Sequence, residues 1–418
     1  MGKLCMELPP FSPDYSGVCS ALFPLNCLTV IHDGAGCTGN YTGYDEPRWF
    51  HSNSPIYCSG LREIDAILGD DEKLIQKVLD ALDTLVMSGQ GRPEMIALVG
   101  SPVPMVIGAD MEGIAAEIEH RTGIRSFGFS ATGLRYYIHG IEMVDKKIIR
   151  RILEESSVIP QRREKSVNIL GATPLDFGKT GTIEDMMQLL TKRGYERNTV
   201  FWNCRTIDEI EASVHASCNI VVSVAGMWLA KYMETEYGIP YVTGLPYGEA
   251  YTEIWLEKLK QCMQGRQEQK EQKFPREQEK TENRGQGKSK VSPKEGAEKS
   301  AEESTVLIIG EQIQADSLRE ALFSQYGLKA DVAGICGWEP ELGKDGDHFM
   351  DTEAEFEEVL NREKYRIVIG DELYKELLHS EKQWISYNHY AVSSKLGTGR
   401  GYSLIGEKLT ELELFRGR

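Results

Sequence analysis

Four of the nine cysteines in this 418-residue chain fall within residues 11–63, and their spacing limits the chemistry that they can support. Intervals of 7, 9 and 20 residues separate Cys19, Cys27, Cys37 and Cys58. Local ferredoxin and zinc patterns use much shorter intervals, such as C-x2-C. Any metal site built from these thiols must therefore be assembled from separated loops, within one chain or between two.

Cys37 is the strongest ligand candidate because of the turn that leads to it. Gly34 and Gly36 lie in the run from His32 to Cys37, and glycines let a backbone approach a bulky ligand and adopt conformations barred to other residues. We interpret Cys37 as a cluster thiolate that this glycine turn presents. Cys27 alternates with apolar neighbours and is expected to pack in the core. The same interpretation holds for Cys204, Cys218, Cys262 and Cys336.

The elements that must position this turn form a repeating pattern of apolar strand, polar or glycine-rich turn and amphipathic helix. Near-continuous Val, Ile and Leu strands that alternate with helices predict an α/β fold of several Rossmann-like, doubly wound parallel-sheet subdomains. Ligands of such sheets lie at the carboxyl ends of the strands. The predicted strands are 95–100, 167–171, 219–223, 305–310 and 366–370, and the helices that follow them are 109–122, 182–193, 227–237, 317–326 and 373–379.

A charged segment divides the chain. Residues 264–303 contain one Phe, one Val and no other sizeable apolar side chain, so this segment cannot bury enough surface to offset its ordering entropy. The predicted organisation is an N-terminal cluster-binding α/β domain (1–160), a second Rossmann-like domain (161–260), a disordered charged linker (261–304) and a third Rossmann-like domain with a C-terminal helix (305–418).

Bulk composition restricts the partners. The net charge of −17 opposes binding to nucleic acid and to anionic lipid, and no run approaches the roughly 20 apolar residues that span a bilayer. The first residues lack an apolar secretion signal, so we expect a cytoplasmic protein. Its partners should be proteins or small molecules.

Three segments, in this order and spacing, resemble the component 1 family of nitrogenase, which includes the molybdenum-iron protein, the cofactor-assembly scaffold and the dark-operative tetrapyrrole reductases. They are residues 31–37, 58–69 and 230–241. The resemblance implies a 4Fe-4S or larger iron-sulfur cluster that is shared between two subunits, either a paralogous component 1 chain or a second copy. It also implies an ATP-hydrolysing iron protein as electron donor and a small-molecule substrate.

The resemblance carries Cys37 over as one cluster ligand, and the chain departs from the family at the others. The family's first cysteine would fall near Phe11, so that Cys19 can replace it only if the loop is shortened. Ser101 stands where the third thiolate is expected, and a serine oxygen is a weaker ligand for iron. Cys58 is the alternative source of that sulfur. Ser223 occupies the place of the thiolate that binds a molybdenum-type cofactor, which makes such a cofactor unexpected here.

Two main functions remain open, and the catalytic residues are not identified by the sequence. The first is a nitrogenase-like reductase subunit that contributes a half-site to a shared cluster. The second is a non-catalytic scaffold or carrier for assembly of an iron-sulfur cofactor. A third interpretation, in which the chain has lost its cluster and only supports a catalytic partner, predicts that Cys37 is dispensable. His389 is not assigned as a ligand, because its surroundings match the family poorly.

Overall fold

The computed structural model confirms the predicted α/β architecture, with three separate all-parallel sheets along the chain. Every strand pair within these sheets is parallel, and helices connect the strands. Within the described ranges, none of the helices combines the length and the apolar character needed to cross a membrane. The structure describes residues 8, 11–49, 54–201, 203–204, 206–264, 304–394 and 401–412.

The first sheet has four strands in the order β2-β1-β3-β4. Its central strands are apolar throughout, and alternate side chains enter two different cores, as the period of two requires. Both faces are therefore buried. The strands are β1 Cys27–Ile31, β2 Ile56–Cys58, β3 Met95–Val99 and β4 Arg125–Phe129. The helices are α1 Asp14–Leu22, α2 Gly36–Asn40, α3 Glu63–Leu68, α4 Asp71–Met87, α5 Pro102–Val106, α6 Met111–Thr122, α7 Tyr137–Val144 and α8 Arg150–Glu155, with π-helical turns at Tyr41–Asp45 and Asp145–Ile149.

The second sheet has the order β6-β5-β7-β8, and the predicted central strands 167–171 and 219–223 correspond to β5 and β7. Its edge strand β6 is polar in sequence, which hid it from the apolar pattern. The strands are β5 Ser166–Leu170, β6 Glu196–Val200, β7 Cys218–Val221 and β8 Tyr241–Thr243. The helices are α9 Pro174–Phe177, α10 Thr182–Lys192, α11 Ile207–Ala212, α12 Met227–Tyr237 and α13 Glu249–Gln264, with 3-10 turns at Ser213–His215 and Val224–Gly226.

The third sheet has five strands in the order β11-β10-β9-β12-β13. The predicted helix 373–379 is instead a 3-10 helix, Glu372–Leu377. The strands are β9 Val306–Gly310, β10 Ala330–Gly334, β11 His348–Phe349, β12 Ile367–Gly370 and β13 Gln383–Ser386. The helices are α14 Gln312–Tyr326, α15 Glu353–Leu360 and α16 Tyr390–Ser393, with 3-10 turns at Pro340–Leu342 and Glu407–Glu411.

The predicted linker 261–304 falls almost entirely on residues 265–303, which lie outside the described residues. Helix α13 extends to Gln264, past the predicted domain boundary at residue 260. The three sheets occupy 27–129, 166–243 and 306–386, which is compatible with the predicted division of the chain. The boundaries of independently folding domains stay a prediction.

Candidate functional site

The loops after β1 and β3 meet at the carboxyl edge of the first sheet. The His32 backbone N–H donates to the Val99 carbonyl at 2.8 Å and so extends the pairing of the two strands by one residue. Ser101 Oγ donates to the His32 carbonyl, also at 2.8 Å, and its side chain is fully buried. The structure therefore places Ser101 beside the start of the predicted cluster turn.

Asp33 organises that turn. One oxygen of its buried carboxylate, Oδ2, accepts hydrogen bonds from the backbone N–H groups of Ala35 at 2.9 Å and Thr38 at 3.0 Å. The left-handed residue of the turn is Ala35, with a φ of 95°, and neither Gly34 nor Gly36 has a positive φ. Such a conformation is strained for a residue with a side chain. The conformational argument for the two glycines therefore does not describe this turn.

Gly34 and Gly36 are instead exposed and open. A Cβ atom on Gly36 would meet nothing within 4 Å, and one on Gly34 would meet only the Leu61 carbonyl at 3.4 Å. The chain's own packing does not require either glycine. A role in close approach to another molecule stays a prediction for both.

The Cys37 side chain is half-buried and lies among oxygen groups. It makes hydrogen-bonding contacts with the side chains of Tyr15, Asp33 and Ser101. Burial, followed by the nearby Asp33 carboxylate, raises the pKa of the Cys37 thiol. The free thiol is therefore protonated at neutral pH, whereas a coordinating thiol loses its proton because of the metal's charge.

Tyr15 was not identified from the sequence, since 22 residues separate it from Cys37. Helix α1 carries it to the site and packs backbone to backbone against α7, because a Cβ atom on Gly17 or Gly140 would collide with the other helix. Asn40 Nδ2 donates to the Tyr15 hydroxyl at 3.2 Å. The hydroxyl is thereby held next to the Cys37 sulfur.

Cys58 ends β2 and pairs in register with Ile31, the last residue of β1. Its Sγ donates to the Asp33 carbonyl at 3.2 Å and accepts from the Gly60 N–H at 3.3 Å. Cys58 and Cys37 therefore contact the same residue of the turn, Asp33. This is the arrangement that an additional sulfur ligand would need, and its role as a ligand stays a prediction.

Cys19, by contrast, lies in the core. Its side chain is completely buried in α1 among core residues that include Cys27. Burial, followed by the proximity of Cys27 and Glu46, raises the pKa of the Cys19 thiol well above its usual range. The expected replacement of a family ligand by Cys19 has no support in this geometry, because metal ligation needs an accessible thiolate.

A cavity of about 180 Å³ adjoins the turn and reaches His32. His32 Nδ1 lies 2.8 Å from Ser59 Oγ, and burial, followed by the nearby Lys77, lowers the pKa of His32 to about 4. The imidazole is therefore neutral at pH 7. The cavity is lined on its other sides by both acidic and basic groups, among them Asp65, Lys73 and Asp110.

Large apolar side chains are exposed around the same edge of the sheet. They lie on the segments that follow the carboxyl ends of β2, β3 and β4, and parallel strands bring these ends together. Contiguous exposed apolar surface marks interaction sites in proteins. The residues, with their exposed fractions, are Ile64 53%, Ile67 71%, Leu68 68%, Val103 52%, Val106 86%, Ile107 43% and Leu134 88%. We call these seven side chains the apolar edge.

Where the three sheets meet, the chain fills the space with its own side chains. Ser223 Oγ donates to the Gly171 carbonyl at 2.8 Å, and Glu311 accepts the Val224 N–H at 2.7 Å. The Tyr137 hydroxyl donates to Asp176, and His389 Nε2 lies 3.2 Å from the same carboxylate.

A molybdenum-type cofactor does not fit this junction. The buried Ser223 offers no thiolate, and its hydroxyl is engaged by the backbone. Among the described residues, no group of three or more His, Cys, Asp or Glu side chains is arranged to hold a metal ion. The expectation from Ser223 is therefore compatible with the packing of the whole junction.

An iron-sulfur cluster fits the Cys37 turn only as a half-site. Such clusters are held mainly by cysteine thiolates, four for a 4Fe-4S cluster. The turn offers Cys37 and, on the other side of Asp33, Cys58, in a setting that is open toward Gly36. The remaining ligands would have to come from a second chain.

Comparison with known proteins places the fold in one family. The sequence profile described as nitrogenase component 1 type oxidoreductase matches residues 14–383. A solved structure described as nitrogenase Cp1 at pH 6.5 superposes with a TM-score of 0.54 and 15% identity, and covers 92% of this chain and 70% of that one. This likeness concerns the fold.

Several relatives carry names from the same family. The nitrogenase iron-molybdenum cofactor biosynthesis proteins NifE of Clostridium pasteurianum and Methanosarcina barkeri are 29% and 26% identical, over 58% and 56% of this chain. A light-independent protochlorophyllide reductase subunit of Crocosphaera subtropica is 24% identical over 47% of it. The chain spans about half the length of the two NifE relatives, 52% and 51%. The match over residues 14–383 shows that the chain belongs to the nitrogenase component 1 type oxidoreductases.

Proposed function

We propose that this chain is a subunit of a nitrogenase-like reductase and that it contributes Cys37 to an iron-sulfur cluster shared with a second component 1 chain. The observation that carries the proposal is the position of Cys37: a half-buried thiol among Tyr15, Asp33 and Ser101, at an edge where large apolar side chains are exposed. A covering partner would bury those side chains and complete the ligand set.

The chain's own groups prepare the site for such a cluster. The Asp33 carboxylate fixes the turn through two backbone N–H groups. The Tyr15 and Ser101 hydroxyls are positioned to hydrogen-bond the Cys37 sulfur, and such bonds to cluster sulfurs tune a reduction potential. When bound, the cluster supplies one-electron transfer. His32, neutral at pH 7, links the turn to the adjoining cavity.

The partners in this proposal follow the family. The second component 1 chain is a paralogue or another copy, an ATP-hydrolysing iron protein delivers electrons, and the substrate is a small molecule. The closed junction around Ser223 argues that the reaction does not take place on a molybdenum-type cofactor inside this chain. Cytoplasmic location is part of the same proposal.

A second candidate function is a scaffold or carrier for cofactor assembly. Two of the similar proteins are named as iron-molybdenum cofactor biosynthesis proteins, and the absence of a thiolate at Ser223 suits transient cargo as well as a different substrate.

Turnover measurements separate the two functions. The chain is purified anaerobically with its partner and supplied with iron protein, ATP and reductant. Sustained substrate reduction supports the reductase, whereas stoichiometric transfer of cluster to an acceptor protein supports the scaffold. A complex that contains no iron and still turns over would overturn both.

A further inference from the structure

Two cysteines of the second sheet lie side by side although 44 residues separate them in the chain. Cys218 begins β7 and is completely buried. Cys262 lies in the last turn of α13 and is half-buried. The two Sγ atoms are 3.5 Å apart. The sequence predicted both residues as separate core hydrophobes, and the structure instead makes them a pair.

The geometry of the pair suits a disulfide. A disulfide bond is about 2.05 Å long, so the sulfurs need to approach by about 1.5 Å. Cys262 is close to the end of its helix, where a small rotation of the backbone is least restrained. Its Sγ donates to the Tyr241 carbonyl at 3.3 Å, which holds the thiol toward β7 and β8.

The two thiols differ in access, which suits sequential oxidation. Cys262 retains solvent exposure and can meet a small oxidant, while Cys218 is shielded and can react only with its neighbour. Arg162 lies close to Cys218, and its positive charge favours the thiolate there. Its guanidinium is held by the backbone carbonyls of Ala216 and Tyr237.

We propose that Cys218 and Cys262 form a reversible intramolecular disulfide when the chain meets a peroxide. The Cys262 thiolate attacks one peroxide oxygen, the O–O bond breaks, and Cys262 becomes a sulfenic acid while the leaving hydroxide takes up a proton to give water. The Cys218 thiolate then attacks this sulfur, the S–O bond breaks and a second water leaves. Two thiols lose two electrons in total, and the peroxide gains them.

The bond would lock one helix in place. It ties the end of α13 to the first residue of β7, and α13 also packs against α14 of the third sheet. Residues 218–262 would be closed into a loop, which restricts the unfolded chain. The oxidised protein should therefore have a higher Tm than the reduced protein. This inference is independent of the proposed cluster.

Peptide mapping tests the proposal directly. The reduced full chain is treated with hydrogen peroxide, alkylated, digested and analysed by mass spectrometry. We expect a linked peptide that joins Cys218 to Cys262, about 2 Da lighter than its two reduced parts, and its loss after dithiothreitol. Oxidation of Cys262 to sulfinic acid without the link would overturn the proposal. So would an unreacted Cys262 under conditions that oxidise the half-buried Cys58.

Matched variants complete the test. Cys262→Ser should abolish the linked peptide and the rise in Tm on oxidation, while its Tm in the reduced state stays that of the reduced wild type. Cys204→Ser, which removes a buried thiol elsewhere in the second sheet, should keep the linked peptide. If the linked peptide forms but oxidised and reduced wild type melt at the same temperature, the proposed locking of α13 is wrong.

Discussion

Ser101 donates a hydrogen bond of 2.8 Å from its Oγ to the backbone carbonyl of His32, and this bond joins the loop after β3 to the first residue of the Cys37 turn. A cysteine, expected here from the family, is only a weak hydrogen-bond donor. The serine therefore supports the turn where a family member would ligate metal. The chain has exchanged a ligand for a structural contact at this position.

Replacing Ser101 by Ala should destabilise the chain. The variant leaves the buried His32 carbonyl without this donor, and an unsatisfied buried polar group costs about 1–3 kcal/mol of unfolding free energy. Urea denaturation of wild type and variant measures the difference. Ser88→Ala is the matched control, because Ser88 donates a similar bond of 2.7 Å to Leu85 at an exposed helix end. It should change the unfolding free energy by less than about 0.5 kcal/mol. Equal effects of the two substitutions would contradict the assigned role of Ser101.

Tyr137→Phe should weaken the junction of the three sheets. The Tyr137 hydroxyl is fully buried and donates to Asp176, whose other carboxylate oxygen has no hydrogen-bond partner among the described residues. Loss of a hydrogen bond to a charged group is expected to lower the unfolding free energy by about 1.5–3 kcal/mol. Tyr136→Phe is the control, since the Tyr136 hydroxyl contacts the Asp351 carbonyl at 3.4 Å in an exposed position. A Tyr137 variant as stable as the Tyr136 variant would show that the junction does not depend on this bond.

Glu311 should make stability depend on pH. Burial, followed by the nearby Asp176, raises the pKa of Glu311 from 4.5 to about 8. The folded chain therefore keeps a proton that the unfolded chain releases, and the unfolding free energy should fall as the pH rises from 4.5 to about 8. Below pH 4.5 both states are protonated and this effect vanishes.

Glu311→Gln should flatten that part of the profile. Denaturation between pH 5 and pH 9 compares the slope of the variant with the slope of the wild type. Glu164→Gln, at an exposed position, should leave the slope unchanged. A Glu311 variant that keeps the full wild-type slope would assign the pH dependence to other buried acids, such as Asp145, whose pKa burial also raises.

Val106→Asp should disrupt association at the apolar edge without harming the fold. Val106 is 86% exposed, so the substitution removes little internal packing but places a charge where a partner is expected to cover the surface. We expect affinity for the partner component 1 chain to fall at least about tenfold. Analytical ultracentrifugation measures it.

Met87→Asp is the control for that experiment. Met87 is 81% exposed and ends α4, which runs back to the opposite edge of the first sheet. Its association should match the wild type. A Val106 variant that associates as tightly as the Met87 variant would place the interface elsewhere.

The sequence predicted most of the central strands because their side chains are apolar on both faces. The predicted strands 95–100 and 305–310 lie within a residue of β3 and β9. Edge strands with polar sequences, such as β6, gave no such signal. Helix α14 begins at Gln312, five residues before the predicted start, because buried polar residues obscure its first turn.

The candidate site was predictable only where its residues are contiguous. The run from His32 to Cys37 indicated the turn, and the family resemblance added Ser101. Tyr15 and the pairing of Cys218 with Cys262 depend on how helices pack on sheets, which no local pattern encodes. Cys19 shows the converse error, since helix α1 turns a sulfur that is near in sequence into the core.

Iron and acid-labile sulfide analysis of the anaerobically purified complex, with EPR of its reduced form, tests the central claim most directly. Wild type should retain a cluster, Cys37→Ala should lose most of its iron and the EPR signal, and Cys204→Ser, at a buried thiol away from the turn, should retain both. A Cys37→Ala complex with wild-type iron content, or an active wild-type complex without iron, would contradict the assignment of Cys37 as a cluster ligand.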